Sequence, residues 1–184
     1  MQTMRDDVEE ILLTEDQIQR RLDTLALDIQ HDYSGKDLTV VAILTGSVMF
    51  IADLLRRLPM QLRLDYIGVS SYHGERRSTG ELIVTKALKL DVTDRDVLVV
   101  DDILDTGLTL FNIRAMIQDL QPRSLKFCTL LEKDIPHRAN FQADYVAFHI
   151  PNKFVVGYGL DYQERYRNLP YVGTLRPEAI AAKW

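Results

Sequence analysis

Asp96–Leu110 reads DVLVVDDILDTGLTL, and this stretch decides the fold. Val97–Val100 is an apolar, β-branched run, the pattern of a strand covered on both faces and so of a parallel sheet. Asp101 and Asp102 stand at the predicted end of that strand. Asp105-Thr106-Gly107-Leu108-Thr109 forms a tight polar loop. Beyond it Leu110, Ile113, Ile117 and Leu120 fall on one stripe of a predicted helix that Pro122 stops. A Gly-containing loop that opens a helix presents backbone N–H groups to an anion, and the helix dipole favours negative charge there. One segment thus offers a phosphate cradle beside two carboxylates, a set that suits phosphate, a divalent metal and sugar hydroxyls together.

Plainer explanations cover less of the segment. A solvated turn favours Asp for its own hydrogen bonds, which accounts for the acid pair but not for Asp105, Thr106 and Thr109 as well. Response-regulator receivers also carry an apolar run with two acids, but their phosphoacceptor Asp ends a later strand, whereas Asp144 here precedes the next apolar run. Neither G-x-x-x-x-G-K-[ST] nor G-x-G-x-x-G occurs in the chain, so the common nucleotide fingerprints do not apply.

Outward from this centre, helical and strand patterns alternate. Thr14-Glu15-Asp16-Gln17 reads as a capping box, and Ile18, Leu22, Leu25 and Ile29 share one helical face that Gly35 closes. Leu38–Leu44 is a strand pattern, Ser47–Leu58 a helix, Leu62–Ser70 a strand, and Glu81–Leu88 another extended run. After the opening segment come the apolar run Leu125–Leu131, a strand at Tyr145–Ile150 and a short one at Phe154–Val156. Strand–helix–strand repetition predicts an α/β fold: an open, mainly parallel, twisted sheet with helices on both faces. Polar clusters should converge outside the carboxyl ends of its strands. Thr45-Gly46-Ser47 is one such cluster, with Ser47 placed to cap the helix after it.

Composition narrows the class. The 184 residues are 46% hydrophobic and 27% charged, and no linker or repeat divides them, so residues 1–184 read as one domain. A chain of this size buries about 70% of its unfolded surface and needs no staples. The single cysteine, Cys128, lies in an apolar run and reads as a buried thiol. A net charge of −5, with arginine pairs scattered at 20–21, 56–57 and 76–77, argues against a nucleic-acid surface, and those pairs read as solvated. His31, His73, His137 and His149 lack metal-ligand spacing. Absence of a signal peptide or a membrane-length apolar run predicts a cytoplasmic protein with no membrane partner.

Asp96–Thr109 resembles the phosphoribosyl diphosphate (PRPP) signature of the type I phosphoribosyltransferases: an apolar strand, two acids, two apolar residues, then Asp-Thr/Ser-Gly-x-Thr. From about Val8 to Arg176 the motifs follow the order of that family's hypoxanthine-guanine branch. The resemblance implies a phosphoribosyltransferase fold with a small hood built from the terminal segments. It also implies transfer of a phosphoribosyl group from PRPP to a 6-oxopurine, with Mg²⁺ as cofactor, in a homodimer or homotetramer.

The same resemblance assigns residues. Asp101 and Asp102 hold the ribose hydroxyls and a metal, and Asp101 replaces the Glu more usual at its position. Asp105 is the base that takes the proton from purine N7, while Thr106, Gly107, Leu108 and Thr109 anchor the 5′-phosphate. Thr45 and Gly46 contact pyrophosphate through a loop with a cis peptide expected between them. Many relatives carry Lys or Arg at the position of Thr45, so backbone N–H groups are the expected donors here. Ser71 and Tyr72 begin a mobile loop that folds onto PRPP. Lys133 meets the purine 6-oxygen, Phe154 stacks on the base, Val155 offers backbone to its edge, Asp161 helps to hold Mg²⁺, and Arg167 pairs with pyrophosphate. Phosphoribosyltransferases for adenine, orotate or uracil would share the PRPP loop but not Lys133, Phe154 and Asp161 in this arrangement. A non-catalytic RNA-binding regulator on the same fold would need a basic face that the charge balance does not offer.

Overall fold

The computed structural model describes residues 4–70, 83–136 and 141–181. Its elements run β1 (Val8–Leu13), α1 (Glu15–Asp32), β2 (Leu38–Leu44), α2 (Val48–Leu55), β3 (Leu62–Ser70), β4 (Ile83–Lys86), β5 (Asp96–Leu104), α3 (Leu108–Gln118), β6 (Ser124–Lys133), β7 (Tyr145–Ile150), β8 (Val172–Leu175) and α4 (Pro177–Ala181). A six-stranded sheet has the order β4-β3-β2-β5-β6-β7. It is parallel apart from the antiparallel β3–β4 pair at one edge. The hood expected from the terminal segments is an antiparallel β1–β8 pair.

Alternation along the central strands explains why they read as unbroken apolar runs. Val40, Ala42, Leu98, Val100, Cys128 and Leu130 share a core with α1 and α2. The intervening Val41, Ile43, Val97, Val99 and Phe127 pack with Leu110, Ile113 and Ile117 of α3 on the other face. The Thr14 capping box forms in full, with the Thr14 hydroxyl accepting from the Gln17 amide and the Gln17 side chain accepting from the Thr14 amide.

Four expectations need correction. β5 does not stop before the acids but carries them inside it, because β6 continues alongside and pairs Asp101 with Thr129 and Leu104 with Glu132. Leu120 lies past the end of α3 and is exposed. Phe154–Val156 is not a strand; Val156 alone bridges to Gly173 of β8. One member of each described arginine pair is also less solvated than expected: Arg21 donates to the carbonyls of Val146 and Ala147 and ties α1 to β7, and Arg57 donates to Asp23 and to the Asp53 carbonyl, while the pair at 76–77 lies outside the described residues.

Strand order also places the ligand crevice. From β2 the chain moves through α2 to β3, whereas from β5 it moves through α3 to β6 on the opposite side. The carboxyl ends of the adjacent strands β2 and β5 therefore form a topological switch point, where loops diverge and leave a cleft. Among the described residues, no helix is long and apolar enough to cross a membrane.

Asp65 secures the sheet edge beside this cleft. Buried on β3, its carboxylate accepts from the amides of Tyr66, Lys89 and Leu90 at 2.8, 2.6 and 2.9 Å, and Lys86 Nζ lies 3.3 Å away. Burial alone would raise its pKa, but these donors outweigh it and hold the group at about 2, below the ordinary 3.8. A depressed folded-state pKa stabilises the fold above the unfolded value and loses that contribution as pH falls through the folded one. The contribution is about 2 kcal/mol at neutral pH. Urea unfolding of wild type should therefore lose stability between about pH 4 and pH 2, and Asp65→Asn should flatten that part of the profile. An unchanged acid limb in the variant would assign the loss to other carboxylates.

Candidate active site

The cleft at the switch point is a cavity of about 580 Å³. Its walls bring together Thr45 and Gly46 after β2, Asp101 and Asp102 on β5, the loop from Asp105 to Thr109, and Asp161 with Arg167 from the segment between β7 and β8. Leu108 is the exception within its loop: its side chain packs into the α3 core. Ser71 and Tyr72 lie outside the described residues.

The Thr45–Gly46 turn differs in detail from expectation. The cis peptide joins Leu44 to Thr45, one bond earlier than Thr45–Gly46. The turn thus begins at the last residue of β2 and delivers Gly46 against Asp102. A Cβ on Gly46 would stand 1.5 Å from Asp102 Oδ2, so only glycine allows this approach. Ser47 does not cap α2. Its hydroxyl donates back to the carbonyl of Ile43 at 2.5 Å, which leaves no side-chain cap on that helix.

Asp101 is only 6% exposed and accepts from the amide of Asp102 at 3.0 Å. Burial first, and then the charge of Asp102, push its carboxyl well above the ordinary range. Asp102 is also raised by burial, against hydrogen bonds from Asp101 and the Ile103 amide and against the positive charge of Arg167. A buried acid beside a half-buried one, with insufficient cationic compensation, forms a site that a cation would stabilise. Among the described residues no group of three or more His, Cys, Asp or Glu side chains converges on a metal position. That donor set fits Mg²⁺, a hard cation that commonly takes one or two carboxylates and completes its shell with water and substrate phosphate.

At the start of α3, Gly107 adopts φ +80° and leads into the helix without a side-chain cap. The Leu108 amide makes only a long contact, 3.5 Å, to Thr106 Oγ1, and a helix N-terminus of this kind beside the cavity suits an anion. Thr106 and Thr109 line the same wall. Asp105, just beyond β5, forms an ion pair with Lys133 Nζ at 2.8 Å, which joins the cavity to the end of β6. Phe154 is 55% exposed and meets Tyr162 edge-on at 5.7 Å, while Val155 is buried. Neither Phe154, Val155 nor Lys133 lines the cavity itself; the Lys133–Asp105 pair is the link between the two groups.

The segment from Gly157 to Arg167 contributes residues that sequence reasoning missed. Gly157, Tyr158, Gly159, Gln163, Glu164 and Tyr166 all have positive φ, a density of left-handed backbone that gathers at functional sites. Three tyrosine hydroxyls hold it: Tyr158 donates to Asp53 of α2 at 2.6 Å, Tyr162 to the carbonyl of Ile180 at 2.9 Å, and Tyr166 to Asp7 at 3.0 Å. Gly159 sits against the first turn, where a Cβ would lie 2.0 Å from the carbonyl oxygen of Gly46. Glu164 also lines the cavity and pairs with Arg167. The Gly157-Tyr158-Gly159 spacing was the available signal for the first part. Nothing in the polar run around Glu164 separates it from an ordinary solvated loop.

This arrangement can hold a ligand with anionic groups at two ends and hydroxyls between them. A family model described as a phosphoribosyl transferase domain matches residues 9–163. The hypoxanthine-guanine phosphoribosyltransferase of Staphylococcus aureus is 48% identical over 178 residues, covering 97% of this chain and 99% of that protein. A crystal structure of a hypoxanthine phosphoribosyltransferase from the same organism superposes with a TM-score of 0.92 at 47% identity, covering 97% of each chain. A hypoxanthine-guanine phosphoribosyltransferase structure from Bacillus anthracis gives 0.87 at 39% identity, covering 92% of this chain and 99% of that one.

Proposed function

This chain belongs to the phosphoribosyl transferase family, in its hypoxanthine-guanine branch, and from this we infer its reaction. It is a purine-salvage transferase that converts hypoxanthine or guanine and PRPP to IMP or GMP and pyrophosphate. The observation that carries the reading is the meeting of the Thr45–Gly46 turn, the acid pair, the α3 N-terminus and Arg167 in one cavity.

Purine N9 forms a bond to the anomeric carbon as the bond from that carbon to the diphosphate oxygen breaks. Positive charge builds on the ribose and negative charge on the leaving group. Arg167 and the amides of Thr45 and Gly46 face the departing diphosphate, where fixed donors are worth most. Asp101 and Asp102 hold the ribose hydroxyls, and the 106–109 loop grips the 5′-phosphate. These remote contacts orient the anomeric carbon and turn binding energy into rate. Asp105 takes the proton from N7. Lys133 donates to the 6-oxygen, and the 6-amino group of adenine would leave that ammonium facing another donor. Phe154 and Val155 border the base, with Phe154 free to stack on it. Asp101 and Asp102 on one side, and Asp161 on the other, would hold Mg²⁺, which would supply neutralisation of charge on the diphosphate.

We read residues 1–184 as one catalytic domain acting in the cytoplasm as a homodimer or homotetramer, with small-molecule substrates and no nucleic-acid or membrane partner. A spectrophotometric assay with PRPP, Mg²⁺ and a panel of bases tests the reaction. Turnover of hypoxanthine or guanine is expected, with none of adenine, orotate or uracil. Turnover of adenine in preference to the 6-oxopurines would overturn the assignment of Lys133.

A further inference from the structure

Both terminal nitrogens of Arg167 have partners within the protein. Nη1 donates to the carbonyl of Gly159 at 2.9 Å, and Nη2 lies 2.9 Å from Asp161 Oδ1 and 2.8 Å from Glu164 Oε2. These partners are not equivalent. Gly159 belongs to the tightly packed turn against Gly46, and Asp161 is fixed by accepting the Glu164 amide at 2.9 Å. Glu164 is 84% exposed at its side chain, lines the cavity, and among the described residues has no other hydrogen bond to its carboxylate. Its backbone, at φ +62°, is the second central position of the two-residue turn that Tyr162 and Arg165 close with reciprocal hydrogen bonds of 3.1 Å. An ion pair to so exposed a carboxylate adds little stability by itself, yet this one is made to an arginine that lines the cavity.

We propose that Glu164 is a displaceable counter-ion of Arg167 that competes with the diphosphate for the guanidinium and so sets how weakly substrate and product are held. The proposal rests on the reading that Arg167 receives the diphosphate. While the diphosphate is absent, Glu164 takes one face of the planar fork, for which a carboxylate and a phosphate have the same geometry. An incoming diphosphate must expel it, and the expelled carboxylate then stands close by as a like charge. On the way out, the same carboxylate reclaims the arginine and favours departure of pyrophosphate, and product release limits turnover in many enzymes. Glu164 touches Arg167 and not the reacting atoms, so it acts as a positioning and affinity-setting residue.

The proposal predicts a gain of binding from a loss of charge. Glu164→Gln keeps the size of the side chain and removes its charge. Titration calorimetry with magnesium pyrophosphate should show the variant binding about 2- to 5-fold more tightly than wild type, the range that an exposed ion pair permits. PRPP should tighten in the same direction, and product inhibition should set in at lower pyrophosphate concentration. The KM for hypoxanthine and the thermal midpoint should stay at their wild-type values, which a merely structural role would not predict. Glu164→Ala should shift affinity the same way and shows that charge, not the amide, is responsible. Equal or weaker pyrophosphate binding in both variants, with wild type binding normally, overturns the proposal and leaves the function intact. Wild type that binds neither pyrophosphate nor PRPP overturns the functional reading and the proposal with it.

Discussion

Asp105→Asn is expected to lower kcat by about 10²–10⁴-fold, the usual worth of a positioned general base. Asp105 stands just past β5, 44% exposed at its side chain and 2.8 Å from Lys133 Nζ, so it is accessible to a base that arrives beside that lysine. Asparagine keeps the shape and a hydrogen-bonding oxygen but cannot accept the N7 proton. The loss should therefore fall on kcat, while calorimetric PRPP binding, which we assign to the acid pair, the α3 N-terminus and Arg167, stays near wild type. A second role is separable in the same data. If Asp105 mainly restrains Lys133, the variant will raise the KM of the purine and leave kcat almost intact. Normal turnover would remove Asp105 from the chemistry.

The second large effect belongs to a residue with no functional group. Gly159→Ala places a methyl group 2.0 Å from the Gly46 carbonyl oxygen and 3.1 Å from its carbon, at φ +106°. Both obstacles are backbone, so no side-chain rotation relieves them. Either the 157–161 turn withdraws, taking the Gly159 carbonyl away from Arg167, or Gly46 moves off Asp102. A displacement of about 1 Å in a positioning element can cost about 100-fold in rate, and kcat/KM is expected to fall by at least about that much. Strained backbone of this kind also costs about 1–3 kcal/mol of stability. Gly35→Ala is the control: its φ is +73°, but nothing lies within 4 Å of the added methyl. It should lose stability alone, with kcat/KM unchanged. Equal activity in both variants would show that the contact between the two turns is not needed.

Why some of this was legible in the sequence and some was not follows from the range of the forces involved. The α1 start, the β2, β3 and β7 strands and the α3 stripe are written in local signals: a cap three residues from its partner, alternation, and period 3.6. Asp101, Asp102 and the 105–109 loop were equally readable, because one short segment carries both the strand and the helix that build that wall. The limits of β5 were not, since its extension through Leu104 depends on pairing with Leu131 and Glu132 of β6. β1 and β8 escaped a reading by pattern for the same reason. β1 has the burial order buried, exposed, exposed, exposed, intermediate, buried, which alternates with nothing, and β8 is four residues long. Only the family resemblance supplied a hood. Ser47 looked like a cap because its position is right, yet the Ile43 carbonyl lies closer to hand. Glu164, Tyr158 and Gly159 act through backbone dihedrals and tertiary contacts that no spacing encodes.

The pairing of Val8 with Leu175 and of Ile11 with Gly173 has a consequence for biosynthesis. Every strand of the larger sheet has left the ribosome once Ile150 emerges, and that scaffold can begin to assemble while translation continues. β1, although made first, must wait for the last strand to be made before its backbone finds a partner. The loop that brings Asp161 and Arg167 into the cleft is tied to α2 through Tyr158 and Asp53 and to β8 through Val156 and Gly173, so its second anchor is added only at that moment. A nascent chain stalled short of Val172 should display a protease-resistant sheet with a ragged amino-terminal segment and no catalytic competence. Release of a few further residues would then switch the enzyme on.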